Sequence, residues 1–487
     1  MNNKFAFGTW LFLRVLAVVH LIAFLSFWVQ FPGLVGPHGI LPAGPMFAAV
    51  HAQLGAAAYA QLPSFCWLLG TGWFLQALCG AGVGLSLLLF AGIAPAICLA
   101  LLWACYLSLA CAGQMFFDFQ WDALLLETTL LAVFLAPWTL KGWRPAEPLR
   151  LARWLSWWLL FRLMFLSGAV KLASGDPAWR HLIALHFHYE TQPLPTSLAW
   201  YAHQLPDWFQ RASCALMFVI ELVAPFALAG PRAWRHLAAL AMIGFQVLIA
   251  LTGNYTFFNL LTVALCLLCL DDAWWQRVCK GVRLPVVKSA AADFTTGSLT
   301  PSSWLVRPFA AFVLVLTTVE AAADFVPAIA GSPVVDAAVG AVAPFRSLNN
   351  YGLFAVMTTR RPELVIEGSD DARAWRAYEF KHKPGALARR PNFVAPHQPR
   401  LDWQLWFAAL EPAEQNQWVI SLCVHLLRGT PEVLALFAGN PFPGHPPRYI
   451  RVGRFNYHFT TAAERARTGN WWKRDFSDDY VPPASLP

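Results

Sequence analysis

The residues best suited to chemistry lie together between Trp154 and Trp208. An apolar run long enough to cross a bilayer contains Arg162 and ends at Lys171. Charged groups inside a membrane span are costly, so they are kept for function or for pairing with another charge. The polar loop that follows this run holds Asp176, Arg180, His181, His186, His188, Glu190 and His203.

The histidines of this loop do not form a metal-binding pattern. His186 and His188 would share a side on a strand but not on a helix. No His-x-x-x-His pair falls on a clear helix, and no cysteine stands among them. We therefore predict no metal and no cofactor.

Composition indicates a membrane protein. The chain has 487 residues, of which 57% are hydrophobic and 13% are charged, and the mean hydropathy is +0.48. A soluble enzyme of this length is rarely so apolar. The net charge of +8 is typical of basic cytoplasmic loops, and without a basic-aromatic module it does not indicate nucleic-acid binding.

The apolar runs predict about nine membrane spans, within a range of eight to ten. The fourth contains Asp122 and Glu127 and ends near Trp138. The others cover residues 10–31, 65–90, 92–112, 154–172, 208–229, 236–251, 257–270 and 304–325.

Five polar residues are predicted to be embedded in the membrane: Arg14, His20, Asp122, Glu127 and Arg162. Asp122 and Glu127 are about 140° apart around a helix, so they do not form a catalytic carboxylate pair. Each carboxylate can instead face the bundle interior and meet Arg14, Arg162 or Lys171. His20 either packs between helices or acts as a ligand.

The distribution of Lys and Arg predicts the topology. The loops after spans four, six and eight are basic, whereas those after spans one, two, three and seven carry neither residue. By the positive-inside rule the N-terminus is cytoplasmic, and everything after span nine lies outside. Lys171 and the histidine-rich loop then lie on the outer side.

Beyond the ninth span the composition changes. Residues 348–370, 373–385 and 448–461 alternate apolar and polar side chains, as half-buried strands do. Residues 401–429 and 431–439 predict helices. The predicted fold is an α-helical polytopic membrane bundle, residues 1–330, followed by a C-terminal mixed α/β, mainly β, extracytoplasmic soluble domain, residues 331–487.

Long stretches of the chain resemble the lipase maturation factor family. They cover residues 12–43, 116–137, 161–206, 254–272 and 361–410, together with Gly469–Trp472. The resemblance implies a polytopic membrane protein whose lumenal C-terminal domain assists the folding and assembly of secreted lipases. Usage rich in Ala and Arg suggests a bacterial chain, in which the site would be the inner membrane and the outer side the periplasm.

A weaker resemblance, to the membrane part of vitamin K-dependent gamma-carboxylases, covers only residues 167–179 and 257–268. In those enzymes a Lys before an Asp-x-Trp-like segment is the base, which implies this role for Lys171. In an enzyme of this kind we would pair Lys171 with His186 or His188. Desolvation at a membrane edge favours such a base. Alternatively, Lys171 only pairs with Glu127 or Asp176.

Three functions remain open at this point. The first is a membrane-anchored folding factor for a secreted client, a lipase by the resemblance. Its outward domain would bind the client through strand edges and exposed anchors, for which we name Arg400, Trp403, Trp406 and Tyr449. The second is an enzyme based on Lys171. The third is a transporter or lipid-handling protein, although no inverted repeat is visible. The oligomeric state stays open.

Overall fold

The computed structural model of the chain describes residues 4–279 and 303–486. The first part is a bundle of apolar helices, which satisfy their own backbone hydrogen bonds as a bilayer requires. Its first helices are α1 Ala6–Trp28, α2 Phe31–Leu34, α3 Ala43–Leu54, α4 Ala58–Gln61, α5 Cys66–Leu69, α6 Trp73–Ala91, α7 Pro95–Ala112 and α8 Gln120–Leu135.

The bundle continues through the polar loop to the last long helix. These helices are α9 Arg150–Ala173, α10 Pro177–Arg180, α11 Leu185–Thr191, α12 Ser197–His203, α13 Asp207–Phe218, α14 Arg232–Thr252, α15 Phe258–Leu267, α16 Asp272–Val278 and α17 Ser303–Ala323. A π-helical turn, Val219–Val223, and a 3₁₀ turn, Ala224–Ala229, extend α13 into a full span.

The predicted membrane bundle is confirmed. Within the described residues, seven helical segments are long and apolar enough to cross a bilayer, or eight if α15 and α16, bent by 106°, form one span. The remaining predicted span, the fourth, corresponds to α8, whose 16 residues are fewer than the roughly 20 that a crossing needs.

The second span begins later than predicted. The apolar run from Phe65 breaks at Gly70, which has φ +81°, a conformation that glycine adopts without steric cost. Helix α5 is therefore separate, and the span itself starts at Trp73.

One end of the bundle gathers the N-terminus and the loops after the even-numbered spans. The backbone N–H of Phe5 donates to Glu147 after the fourth span, and that of Phe7 donates to Asp272 after the eighth, both at 2.9 Å. We refer to this end as the inner end. The basic residues Lys280, Arg283 and Lys288 of the eighth loop lie outside the described residues.

The other end, the outer end, meets the C-terminal region. Ser26, near the end of α1, donates to the carbonyl of Gln398 at 3.1 Å. Asn254, in the loop after the seventh span, accepts from the N–H of Val394 at 2.7 Å. The loops therefore separate into two groups as the predicted topology requires.

The C-terminal region combines helices with one antiparallel sheet. Its elements are α18 Pro327–Ala330, α19 Pro333–Val342, β1 Pro362–Ser369, β2 Arg376–Ala377, α20 Arg400–Leu410, α21 Gln417–Leu427, α22 Pro431–Leu434, β3 Tyr449–Phe459, α23 Ala462–Thr468 and β4 Trp472–Ala484. The strand order is β2-β1-β3-β4, and register pairs run from Pro362↔Asn456 to Ser369↔Tyr449 between β1 and β3.

Two strand predictions were too long and one strand was missed. Residues 348–361 contain no strand, and the alternation there arises because side chains such as Tyr351 enter the bundle while their neighbours stay outside. Within residues 373–385 only Arg376–Ala377 pairs as a strand. The longest strand, β4, was not predicted.

Candidate functional site

Lys171 lies in the last turn of α9, and its ammonium group makes three hydrogen bonds. Its Nζ donates to Glu221 Oε2 at 2.8 Å, to Glu221 Oε1 at 3.0 Å and to the carbonyl of Ser167 at 3.0 Å. Both charged residues are buried. The ion pair therefore fastens the fifth span to the sixth.

The partner of Lys171 differs from both candidates named from the sequence. Glu127 pairs with another residue, and Asp176 caps α10 by accepting from the N–H of Ala178 at 2.8 Å. Glu221 lies in the π-helical turn of the sixth span, and such turns concentrate at functional sites. The only acidic residue of an otherwise apolar run, Glu221, was the signal that sequence reasoning overlooked.

His186 and His188 are not brought together on Lys171. His186 lies 3.0 Å from Asp207 at the start of the sixth span, whereas the ring of His188 packs edge-on to Phe354. Burial, with the charge of Lys171 adding to it, lowers the pKa of His188 to about 4. Within the described residues neither histidine shares a hydrogen bond with Lys171, so the three do not form an acid–base group.

Several of the remaining buried charges belong to what we call the junction, the contacts between the outer end and residues 347–459. Its centre is Arg400, which is fully buried. The two terminal nitrogens of Arg400 each lie 3.0 Å from one oxygen of Asp122 in α8. Tyr106 donates to the same carboxylate. A bidentate arginine pair of this kind fixes position as well as charge.

A second pair lies deeper in the bundle. Arg162 binds Glu127 and donates to the carbonyl of Asn349 at 2.6 Å. Tyr351 donates to Glu127 at 2.8 Å. Glu127–Arg162 is one of the pairings considered from the sequence, and the structure shows that it also holds the chain segment entering the C-terminal region.

A third group of buried charges was not predicted from the sequence. Arg361 donates to the carbonyls of Glu190 and Pro193, in the loop after the fifth span, at 2.6 and 2.8 Å. It also binds Glu363 in β1, which lies 2.8 Å from Lys383. The feature of the sequence that could have indicated this group is Glu363, an acidic residue among the apolar residues of a strand.

Three of the four residues proposed as client anchors are buried at the junction. Arg400, Trp403 and Trp406 are 0%, 3% and 6% exposed. Trp403 packs against Trp121 with ring centroids 4.6 Å apart, and Trp406 donates to the carbonyl of Thr191 at 2.9 Å. Their prediction as client anchors was therefore wrong, because an aromatic helix face that suits a partner suits a second part of the same chain equally well. Tyr449, at the start of β3, is half-buried.

Arg14 and His20 are buried but stand apart from these groups. Arg14 lies 3.4 Å from the carbonyl of Gly142 at the inner end. His20 bonds Thr129 of α8 at 2.8 Å, so it links helices. No continuous chain of hydrogen bonds joins these two to Asp122 or Glu127 among the described residues.

The junction also contains a titratable pair outside the spans, Glu190 and His458. Glu190 accepts from His458 of β3 at 3.3 Å and from the N–H of Phe459 at 2.9 Å. Burial alone raises the pKa of Glu190, but these hydrogen bonds bring it below its ordinary value. The bond to Glu190 outweighs burial and raises the pKa of His458.

Comparison with known proteins agrees with this architecture. Residues 7–277 match the lipase maturation factor transmembrane domain, and residues 347–482 match the lipase maturation factor C-terminal domain. The chain is 36% identical to lipase maturation factor 2 of Homo sapiens, over 98% of this chain and 82% of the relative. It is 36% identical to lipase maturation factor 1 of Mus musculus, over 97% and 86%. No solved structure matches the chain.

Proposed function

The chain belongs to the lipase maturation factor family, and from this membership we propose that it is a membrane-anchored maturation factor for secreted proteins, with a lipase as its client. The relatives named above carry lipase maturation in their names, and they align with nearly the whole of this chain. The proposal applies that role to this protein.

In this proposal residues 1–330 anchor the protein and residues 331–487 face the extracytoplasmic side. Two features support the arrangement: the loops separate into two ends, and the Lys and Arg residues favour the end that holds the N-terminus. In a bacterium the outer side of the inner membrane is the periplasm, through which a secreted lipase must pass.

The observation that carries the proposal is the free edge of the C-terminal sheet. Strand β4 pairs with β3 on one side and with no other strand among the described residues. Phe476 of β4 is 60% exposed, and its ring centroid lies 5.4 Å from that of Phe455. An unpaired edge beside an aromatic anchor suits the capture of an extended, incompletely folded segment.

Charged side chains restrict this edge to such segments. Asp475, Asp478 and Asp479 flank the exposed ring of Phe476 along β4. Charged side chains on an exposed edge strand oppose edge-to-edge aggregation. We propose that the edge accepts client segments transiently rather than aggregating.

The ion pair with Glu221 supports a structural role for Lys171 within this proposal. A lysine that neutralises a buried carboxylate positions two spans without taking part in a reaction. The proposal therefore does not depend on catalysis by Lys171.

Deletion and complementation test the proposed function. Removing the chromosomal copy should lower the active fraction of a secreted lipase while its transcript is unchanged. Phe476→Ser should fail to complement, whereas Phe393→Ser, which alters another exposed Phe (54% exposed) outside the sheet, should complement. Full specific activity of every secreted lipase in the deletion strain would contradict the proposal.

A further inference from the structure

Residues 43–72, which we call the hairpin, lie between the first span and α6 and include α3, α4 and α5. Most of their side chains are exposed, including large apolar ones. Leu54, Tyr59 and Leu68 are 46%, 51% and 78% exposed. In water, apolar exposure of this density marks an interaction surface.

The hairpin has no charge with which to face water. The sequence contains no Asp, Glu, Lys or Arg from Val15 to Phe117. A protein-binding surface usually has a polar rim, and the C-terminal sheet edge has one. The exposed polar side chains of the hairpin are His51, Gln53 and Gln61, and the rest of its exposed surface is mostly apolar, as on a lipid-facing surface.

Contacts with α7 place part of the hairpin inside the membrane layer, about one helical turn from the outer end of the bundle. Phe65 donates its N–H to Ser108 Oγ at 3.0 Å, and Ser64 donates to the carbonyl of Ser108 at 3.3 Å. Ser108 lies one turn before Ala112, where α7 ends. Since α7 has 18 residues, it is about 27 Å long, close to the thickness of the hydrocarbon layer of about 30 Å.

The last turns of the hairpin satisfy several of their polar groups within the protein, as immersion in lipid requires. Besides the Phe65–Ser108 bond, the N–H of Cys66 donates to Ser64 Oγ at 3.1 Å, and the indole of Trp67 donates to the carbonyl of Leu62 at 2.7 Å. Tyr59, Trp67 and Trp73 are aromatic residues of the kind that anchor at a membrane interface.

We propose that the hairpin is embedded in the outer leaflet and that lipid acyl chains cover its apolar face. The hairpin extends the lipid-facing surface of α6 toward the outer end of the bundle, where the junction lies. This surface is continuous with the part of the bundle that already faces lipid. This inference does not depend on the identity of the client.

Collision accessibility of spin labels in lipid vesicles tests the proposal on the full chain. In a Cys279→Ser background the other native thiols are all buried. A label is placed at Leu68→Cys in the hairpin, with Leu87→Cys in α6 as the lipid-facing control and Phe476→Cys in β4 as the water-facing control. All three native side chains are more than half exposed.

The label at Leu68→Cys should collide more often with oxygen, which concentrates in lipid, than with a water-soluble nickel chelate. Its ratio should match Leu87→Cys and exceed Phe476→Cys. A ratio equal to that of Phe476→Cys would overturn the proposal, because the hairpin would then face water. Low collision rates with both reagents would also overturn it, because a protein partner would then cover the face. Leu54→Cys, one helix away, repeats the test at an independent position.

Discussion

The junction and the free edge of the sheet use charged residues in opposite ways. At the junction Arg400 is fully buried and its guanidinium holds a carboxylate from the bundle. At the edge Asp478 of β4 pairs with Arg454 at 3.0 Å while its side chain remains about half exposed. Breaking a buried pair costs about 3–5 kcal/mol, whereas exposed pairs contribute about 0–1 kcal/mol.

This difference indicates that the two regions have different roles, one in positioning and one in binding. Buried pairs are a poor source of net stability, but they define one position for the groups that they join. The junction therefore fixes the C-terminal region on the bundle, and the edge stays free for transient contacts. Each of the following changes tests one side of this contrast.

The largest effect is expected from Arg400→Met. The change leaves Asp122 buried without its cation, which should destabilise the protein by about 3–5 kcal/mol. Thermal unfolding in detergent and protease release of the C-terminal region measure the loss. The double variant Arg400→Met, Asp122→Leu should recover most of it, and a double variant as unstable as the single one would argue against the pair.

Lys171→Met should cost about 3 kcal/mol, because it leaves Glu221 uncompensated between two spans. The loss should appear in the melting temperature of the membrane bundle. Unchanged stability would contradict a positioning role and would instead favour Lys171 as a reactive group.

Some of these ion pairs could be predicted from the sequence and others could not. Apart from the start of the second span, the apolar runs located the membrane helices to within a few residues, and Glu127–Arg162 was among the pairings considered. Arg400–Asp122 joins residues 278 positions apart, and no periodicity within either segment shows such a contact. Burial of Arg400, Trp403 and Trp406 depends on the same long-range packing, so an exposed recognition surface seemed equally consistent with their sequence.

Glu221 illustrates a different limit. Its isolation in an apolar run was visible, but α-helical spacing alone does not turn it toward Lys171. The π-helical turn at Val219–Val223 adds the extra residue, and Gly168 allows a close approach, since a Cβ there would lie 2.8 Å from Leu222 Cδ2. Neither feature has a recognisable sequence signature.

A smaller effect is expected from the junction's titratable pair. The raised pKa of His458 means that its bond to Glu190 stabilises the fold fully below the unfolded histidine value of about 6.5. This contribution is lost as the pH rises through the folded value. Because His458 is partly exposed, His458→Gln should cost at most about 1 kcal/mol near pH 6 and little at high pH. A difference that grows with pH would contradict the assignment.

The smallest effect is expected at the free edge. Asp478→Ala removes the partly exposed pair with Arg454 and should cost about 0.5 kcal/mol, measured by the same thermal unfolding. A loss as large as that of Arg400→Met would show that the edge is part of the rigid structure and would remove the contrast between the two regions.

The central claim is that the buried ion pairs, that of Lys171 included, have a positioning role and that client maturation takes place on the exposed side of the C-terminal region. The double variant Lys171→Met, Glu221→Leu tests it most directly, because it removes both charges of the pair without leaving one unpaired. Its complementation of the deletion strain is measured as the active fraction of the secreted lipase. The account predicts near-normal active lipase from a variant with restored stability. A stably folded double variant that yields no active lipase would contradict it.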